Sequence, residues 1–308
     1  MSTVLLAHAA AATAAFSAGA AVVATRFVIG ETDPVALAFY RYAIGIICLM
    51  PVLPFIWPKS GLSGIDIVKI AVLGVIFFGL FPWSFNASLQ HIPAARCAVG
   101  LATIPIQTLI ISALFGREKI TLNKLVGVAT AFIGTAIVFG PSAGGVSEPG
   151  YVTGDILILL GALSGAIYSV FSRASILQHG PLFVTALAMI FGVVALSPIS
   201  SLQSGFLMFP SFSFEGWIAV LFLGTFAGAI QFSLFTWALR WLPPTVTVLY
   251  LTLNPLAATV LGFVLLSESV ETNVLIGLLL VLLGIVFGSG AIGDLRRGLR
   301  PQRASGDQ

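Results

Sequence analysis

The chain is 308 residues long, 58% hydrophobic and only 8% charged, where soluble domains carry roughly a quarter charged residues. So little charge cannot clothe a water-facing surface, and 308 residues exceed what one buried core can hide, so the composition points to a lipid bilayer. The net charge of +3 implies no nucleic-acid partner, because four arginines sit together in the tail; two cysteines, Cys48 and Cys97, imply neither a disulfide framework nor a metal site.

Apolar runs near the spanning length of about 20 residues predict ten helices: 4–28, 33–56, 66–89, 93–115, 121–140, 152–177, 180–203, 215–239, 243–266 and 271–292. Helix 1 is alanine-rich but lacks the basic stretch of a secretory signal, and its loss would leave the first half one helix short, so it reads as a span. Helix 2 starts at Pro34 and carries Arg41, the one full charge deep in a span, about 10 Å along the axis. An arginine there costs on the order of 3 kcal/mol. A water-filled cavity, a helix C-terminus or an anionic solute group would offset that, as would an outward reach beside Tyr40 and Tyr42.

Helix 3 brings Trp83, Ser84 and Asn86, and helix 4 brings Thr103, Pro105 and Gln107. Helix 6 supplies Ser164, Tyr168, Ser169 and Ser172; helix 8 supplies Gln231, Thr236 and Trp237; helix 9 supplies Tyr250, Thr252, Asn254 and Pro255. Small-xxx-small faces stand at Gly161/Gly165, Gly224/Gly228 and Gly284/Gly288 and allow close helix approach. The pair in helix 10 serves equally as an internal contact or as a homodimer contact.

The chain repeats itself. At an offset of 150 residues, 89–134 falls on 239–284 without a gap, with nine identities that include Pro105/Pro255, Glu118/Glu268, Gly127/Gly277 and Gly134/Gly284. An earlier block matches at an offset of 147, pairing Ser17/Ser164, Arg26/Arg173, Pro34/Pro181 and Pro51/Pro198. The expected organisation is a five-helix repeat over 1–140, a loop over 141–151, a second repeat over 152–292 and a basic tail over 293–308. An odd number of spans per repeat turns the second copy upside down, as in many transporters. Eleven lysines and arginines fall on the side of both termini and two, Arg26 and Arg96, on the other. The positive-inside rule then makes both termini cytoplasmic.

Each repeat thus closes with a mid-helix proline, a glutamate and a glycine-spaced helix: Pro105, Glu118, Gly127, Gly134 and Pro255, Glu268, Gly277, Gly284. With Arg41 after Pro34, this pattern resembles the EamA-type proteins of the drug/metabolite transporter superfamily over residues 4–290. The resemblance implies an all-α polytopic carrier of small organic solutes with ten spans in two inverted halves, whose helices 3, 4, 6, 8 and 9 line a central cavity.

Other chemistries lack their motifs. There is no phosphate-binding loop ending in Lys-Ser or Lys-Thr, no HExxH pair and no GxSxG elbow, so the chain is expected to be no enzyme and to use no cofactor or metal. All acids fall at helix ends, in loops or in the tail, which disfavours a proton pump built on a mid-membrane carboxylate. The interior is polar but mostly neutral, with aromatics beside amides. That suits zwitterionic or amphipathic metabolites, amino acids first among them, exported or exchanged by alternating access across the inner membrane. Alternatives are a phosphorylated-metabolite exchanger, which would want further buried cations, and a non-transporting receptor or assembly factor.

Candidate substrate-binding residues are Arg41, Trp83, Asn86, Thr103, Gln107, Tyr168, Gln231, Trp237, Tyr250 and Asn254, with Pro105 and Pro255 as gating positions. Each has a plainer role open to it. Trp83 and Trp237 suit interfacial anchors, serines and threonines suit bonds to helix carbonyls, and Gln107, Gln231 and Asn254 suit interhelical glue. Glu118 and Glu268 are expected to meet the N-terminal dipole of the following helix.

Overall fold

The computed structural model describes residues 3–28, 30–32, 34–58, 61–88, 91–92, 94–143, 150–204, 212–254, 256–257, 260–261 and 272–289. Among these the chain is helical, with no strand. Helix α1 is Thr3–Arg26; α2 is Pro34–Leu49, prolonged by a 3-10 turn and the short Leu53–Ile56; α3 covers 64–88. Helix α4 covers 94–114, α5 is Leu122–Ala143, α6 is Tyr151–His179 and α7 is Pro181–Ser204. Helix α8 is Phe214–Trp241, α9 begins as Pro244–Leu249 and continues as the 3-10 segment Tyr250–Leu253, and α10 is Thr272–Gly288. Among the described residues seven helices are long and apolar enough to cross a membrane, while Leu122–Ile137, Pro244–Leu253 and Leu275–Gly288 are shorter apolar stretches. Their outward faces are apolar, with Phe55, Leu114, Leu122 and Phe214 among the most exposed side chains, as lipid contact demands and water would penalise.

Helices α3 and α8 are built alike, 150 residues apart. Ser63 caps α3 by accepting from Asp66 N at 3.1 Å, and Ser213 caps α8 by accepting from Gly216 N at 2.9 Å. Each then runs eleven residues of α-helix, Gly64–Gly74 and Phe214–Gly224, before widening into a π-helical stretch, Val75–Leu80 and Thr225–Ile230. Such wide turns are rare and concentrate at functional places. Each packs on the helix that opens with the Pro34/Pro181 pair: α7 against the stretch in α3, and α2 against the stretch in α8. Glycines make these crossings close. A Cβ on Gly74 would run into the backbone of Ala188, and one on Gly224 would run into Ile44.

The predicted helix 4 is interrupted just before its central proline, where a kink was expected. It breaks at 102–103 between Ala94–Leu101 and Ile104–Leu114, with Thr103 N–H bonding Gly100 O at 3.1 Å in a 3-10 turn. Pro105 is the cause: it has no N–H for the preceding turn and its ring crowds that turn's carbonyl. The matching stretch of α9 is the 3-10 segment Tyr250–Leu253, and Pro255 itself lies outside the described residues.

Helices α5 and α10 pack through matched glycines. A Cβ on Gly134 would lie 2.8 Å from Gly277 O, and one on Gly284 would lie 2.7 Å from Gly127 O and from Ala131 N. Residue numbers rise along one helix as they fall along the other, so the two run antiparallel. The small-residue face of helix 10 is therefore filled by α5 and by Leu249, which Gly288 approaches.

Candidate functional site

Between the two crossings lies a cluster of aromatic rings. Tyr168 on α6 is fully buried and stacks on Phe77 at 4.4 Å, while Phe78 and Phe232 meet Tyr42 edge-on or tilted at 5.3 and 6.0 Å. Phe232 also closes on Phe77 and Phe78 at 5.6 and 5.0 Å. Arg41 lies at the border of this cluster, 5.7 Å from the Tyr42 ring and 6.0 Å from that of Phe232, within cation–π range. Its Nη2 donates to Ala227 O at 2.7 Å. That acceptor belongs to the π-helical stretch of α8.

Several interior polar atoms are buried with no partner: Arg41 Nε, Gln107 Oε1, Tyr168 OH, Gln231 Oε1 and Asn254 Oδ1. Five of the ten sequence-nominated binding residues thus hold unsatisfied atoms, each costing about 1–3 kcal/mol where nothing replaces water. Gln107 also donates through Nε2 to Thr103 Oγ1 at 3.1 Å and to Leu159 O at 3.5 Å, tying α4 to α6. Thr103 in turn donates to Gly100 O at 2.6 Å, within its own helix.

The remaining nominated residues stand apart. Tyr250 OH pairs with His8 Nδ1 at 2.9 Å, joining α9 to α1. Trp237 packs with the small residues of α1 and tilts against Trp241 at 6.5 Å. Trp83 is 36% exposed and outside the buried aromatic cluster. The side chain of Asn86 is outside the described residues, as is Glu268. The ten residues therefore do not line one pocket in this conformation. Two clefts open elsewhere: one of about 280 Å³ beside His8, Lys124 and Trp241, and an apolar one of about 400 Å³ between α1, α9 and α10.

Hydroxyls mostly serve their own helices. Ser164, Ser169, Thr236 and Thr252 each donate to a carbonyl three or four residues back. Glu118 was expected at the N-terminus of α5, but the backbone N–H it accepts from lies at the start of α9. It pairs with Lys124 in α5, and it also accepts from Thr245 N at 3.0 Å at the start of α9, linking the two halves. At the other end Arg96 grips Asp155 with two parallel bonds of 2.7 and 2.6 Å, with Tyr151 under the guanidinium at 5.1 Å. Glu31 accepts from both the N–H and the hydroxyl of Ser213 at 2.7 Å.

The sequence profile described as the EamA-like transporter family matches residues 5–140 and again 152–289. The chain belongs to the EamA-like transporter family. Its membership of the drug/metabolite transporter superfamily follows, and with it a role as a membrane transporter and not an enzyme. Similar EamA relatives include a protein of Archaeoglobus fulgidus named an uncharacterized transporter, 27% identical over 87% of this chain and 92% of that one. YyaM of Bacillus subtilis, also named an uncharacterized transporter, is 24% identical over 87% and 88% of the two chains. YedA of Escherichia coli K12, named an uncharacterized inner membrane transporter, is 32% identical over 57% of this chain and 55% of its own. A solved crystal structure shares the fold, with a TM-score of 0.78 at 21% identity over 94% of this chain and 98% of that one.

Proposed function

We propose that this EamA-like protein is a ten-span inner-membrane carrier that exports or exchanges small organic metabolites, amino acids foremost, by alternating access between two inverted five-helix halves. Both termini are cytoplasmic in this reading. The antiparallel contact of α5 with α10 supports the inversion, and the inner membrane agrees with the name given to YedA.

One observation carries the choice of cargo. Buried, unpartnered polar atoms on α2, α4, α6, α8 and α9 point at no protein group, and they include donors and acceptors, one positive charge and neutral amides. A small zwitterion with an apolar side chain complements that set: polar ends meet the orphaned atoms and the aromatic cluster takes the rest. Pro105, Pro255 and the two π-helical stretches supply the places where helices bend between the outward and inward forms. A phosphorylated cargo would ask for a second cation beside Arg41, and no such partner adjoins it among the described residues.

The test is counterflow. Purified protein in liposomes preloaded with unlabelled amino acids, amines or nucleosides is given the labelled solute outside. Accumulation of labelled amino acid, persisting when an uncoupler collapses the proton gradient, is the expected result. Accumulation of amines or nucleosides alone would discard the amino-acid reading, and abolition by the uncoupler would reveal a proton site.

A further inference from the structure

The two arginines with a filled or half-filled edge make an instructive pair. A guanidinium offers Nε–H and Nη2–H side by side, spaced to match the two oxygens of a carboxylate. Arg96 uses that edge in full, with Nε on Asp155 Oδ1 and Nη2 on Asp155 Oδ2. Arg41 presents the same edge to a single oxygen. Nη2 bonds Ala227 O, and the adjacent Nε is buried with no partner. No aspartate or glutamate among the described residues pairs with it.

The carbonyl that Arg41 holds is itself a leftover. The N–H of Gln231 reaches back five residues to Phe226 O, and α-helical spacing resumes from Gln231 onward. Counting forward, the next N–H returns to a carbonyl four residues back, so Ala227 O is passed over. Arg41 and Ala227 O are thus each other's substitute partners: a cation without an anion, and an acceptor without a helical donor. The other half has no such pair. At the matched offsets Arg41 corresponds to Ala188, and Ala227 and Gly228 correspond to Phe77 and Phe78.

From this we infer that the Nε/Nη2 edge of Arg41 is the carboxylate-holding subsite of the transport path, and that it exchanges the Ala227 carbonyl for the carboxylate of the solute. The inference rests on the proposed amino-acid carrier and narrows it to solutes bearing a carboxylate. An α-ammonium group on the same solute would be the donor that Ala227 O then lacks, which favours α-amino acids over plain acids.

The experiment compares each amino acid with the amine that remains when its carboxylate is removed: phenylalanine with phenethylamine, and leucine with isoamylamine. Counterflow per folded molecule is measured for wild type, Arg41→Met and Arg41→Lys. Wild type is expected to favour the acid of each pair by at least about tenfold in apparent affinity, the scale of one charge-assisted bidentate contact. Arg41→Met should erase that preference while leaving the amine within about twofold, and Arg41→Lys should keep it in weakened form. Equal handling of acid and amine by wild type overturns the subsite while leaving the carrier intact, as does a parallel loss of both in Arg41→Met. If Arg41→Met does not fold, the wild-type ratio and Arg41→Lys decide: an unchanged ratio in Arg41→Lys counts against the subsite. Absence of counterflow for every solute overturns the amino-acid reading and the subsite together.

Discussion

A polar atom in an apolar helix announces itself, and that is why Arg41, Gln107, Tyr168, Gln231 and Asn254 were legible as candidates: each stands in a predominantly apolar span, and each ends with an unpartnered buried atom. Truncating Gln107, Gln231 or Asn254 to alanine should raise the apparent Km for the transported amino acid by about two- to tenfold, the worth of one neutral hydrogen bond. Thermal unfolding in detergent should move little for Gln231→Ala and Asn254→Ala, whose side-chain oxygens bond no neighbour, and more for Gln107→Ala, which also cuts the bonds to Thr103 and Leu159; a fall in melting temperature with unchanged transport per folded molecule would make them helix glue. Phe77, Phe78 and Phe232 were not legible. The chain has 24 phenylalanines, and nothing in their spacing separates a ring at the centre from a ring in lipid. Thr103 was legible both as polar and as open to the plainer role it takes, a bond to the carbonyl of Gly100 in its own helix.

At the scale of helices, proline and glycine could be read from sequence and the π-helical stretches could not. Pro105 removes a backbone donor wherever it stands in a helix, so a break before it is expected. One extra residue in a turn leaves the pattern of a helix that is apolar on every side unchanged, so the matched stretches in α3 and α8 left no trace in hydropathy. Pro105→Ala restores the missing donor and should slow turnover while shifting apparent affinity by less than about twofold, as single-turnover and steady-state counterflow would separate. Gly284→Ala adds a methyl 2.7 Å from the backbone of Ala131 and should lower stability by about 1–3 kcal/mol in thermal unfolding. Gly30→Ala meets nothing within 4 Å and should stay within about 0.5 kcal/mol of wild type.

Over the whole molecule, the repeat offsets read from sequence recur in the structure as matched caps, matched π-helical stretches and matched glycine contacts. Sequence could not say what the halves do to each other: Glu118 reaching Thr245 across the repeats, and Arg96 gripping Asp155, join segments 127 and 59 residues apart. Reporters fused after residue 145 should read periplasmic and those after residue 300 cytoplasmic; a cytoplasmic signal at 145 would break the inverted arrangement. Alternating access is tested most directly at the Arg96–Asp155 contact. With Cys48 and Cys97 replaced by serine, cysteines at 96 and 155 are joined by a short reducible linker in proteoliposomes, and counterflow is measured before linking, after linking and after reduction. The account predicts that transport stops when the ends of α4 and α6 are tied together and returns when the linker is cleaved, whereas full transport through a completely cross-linked protein would contradict it.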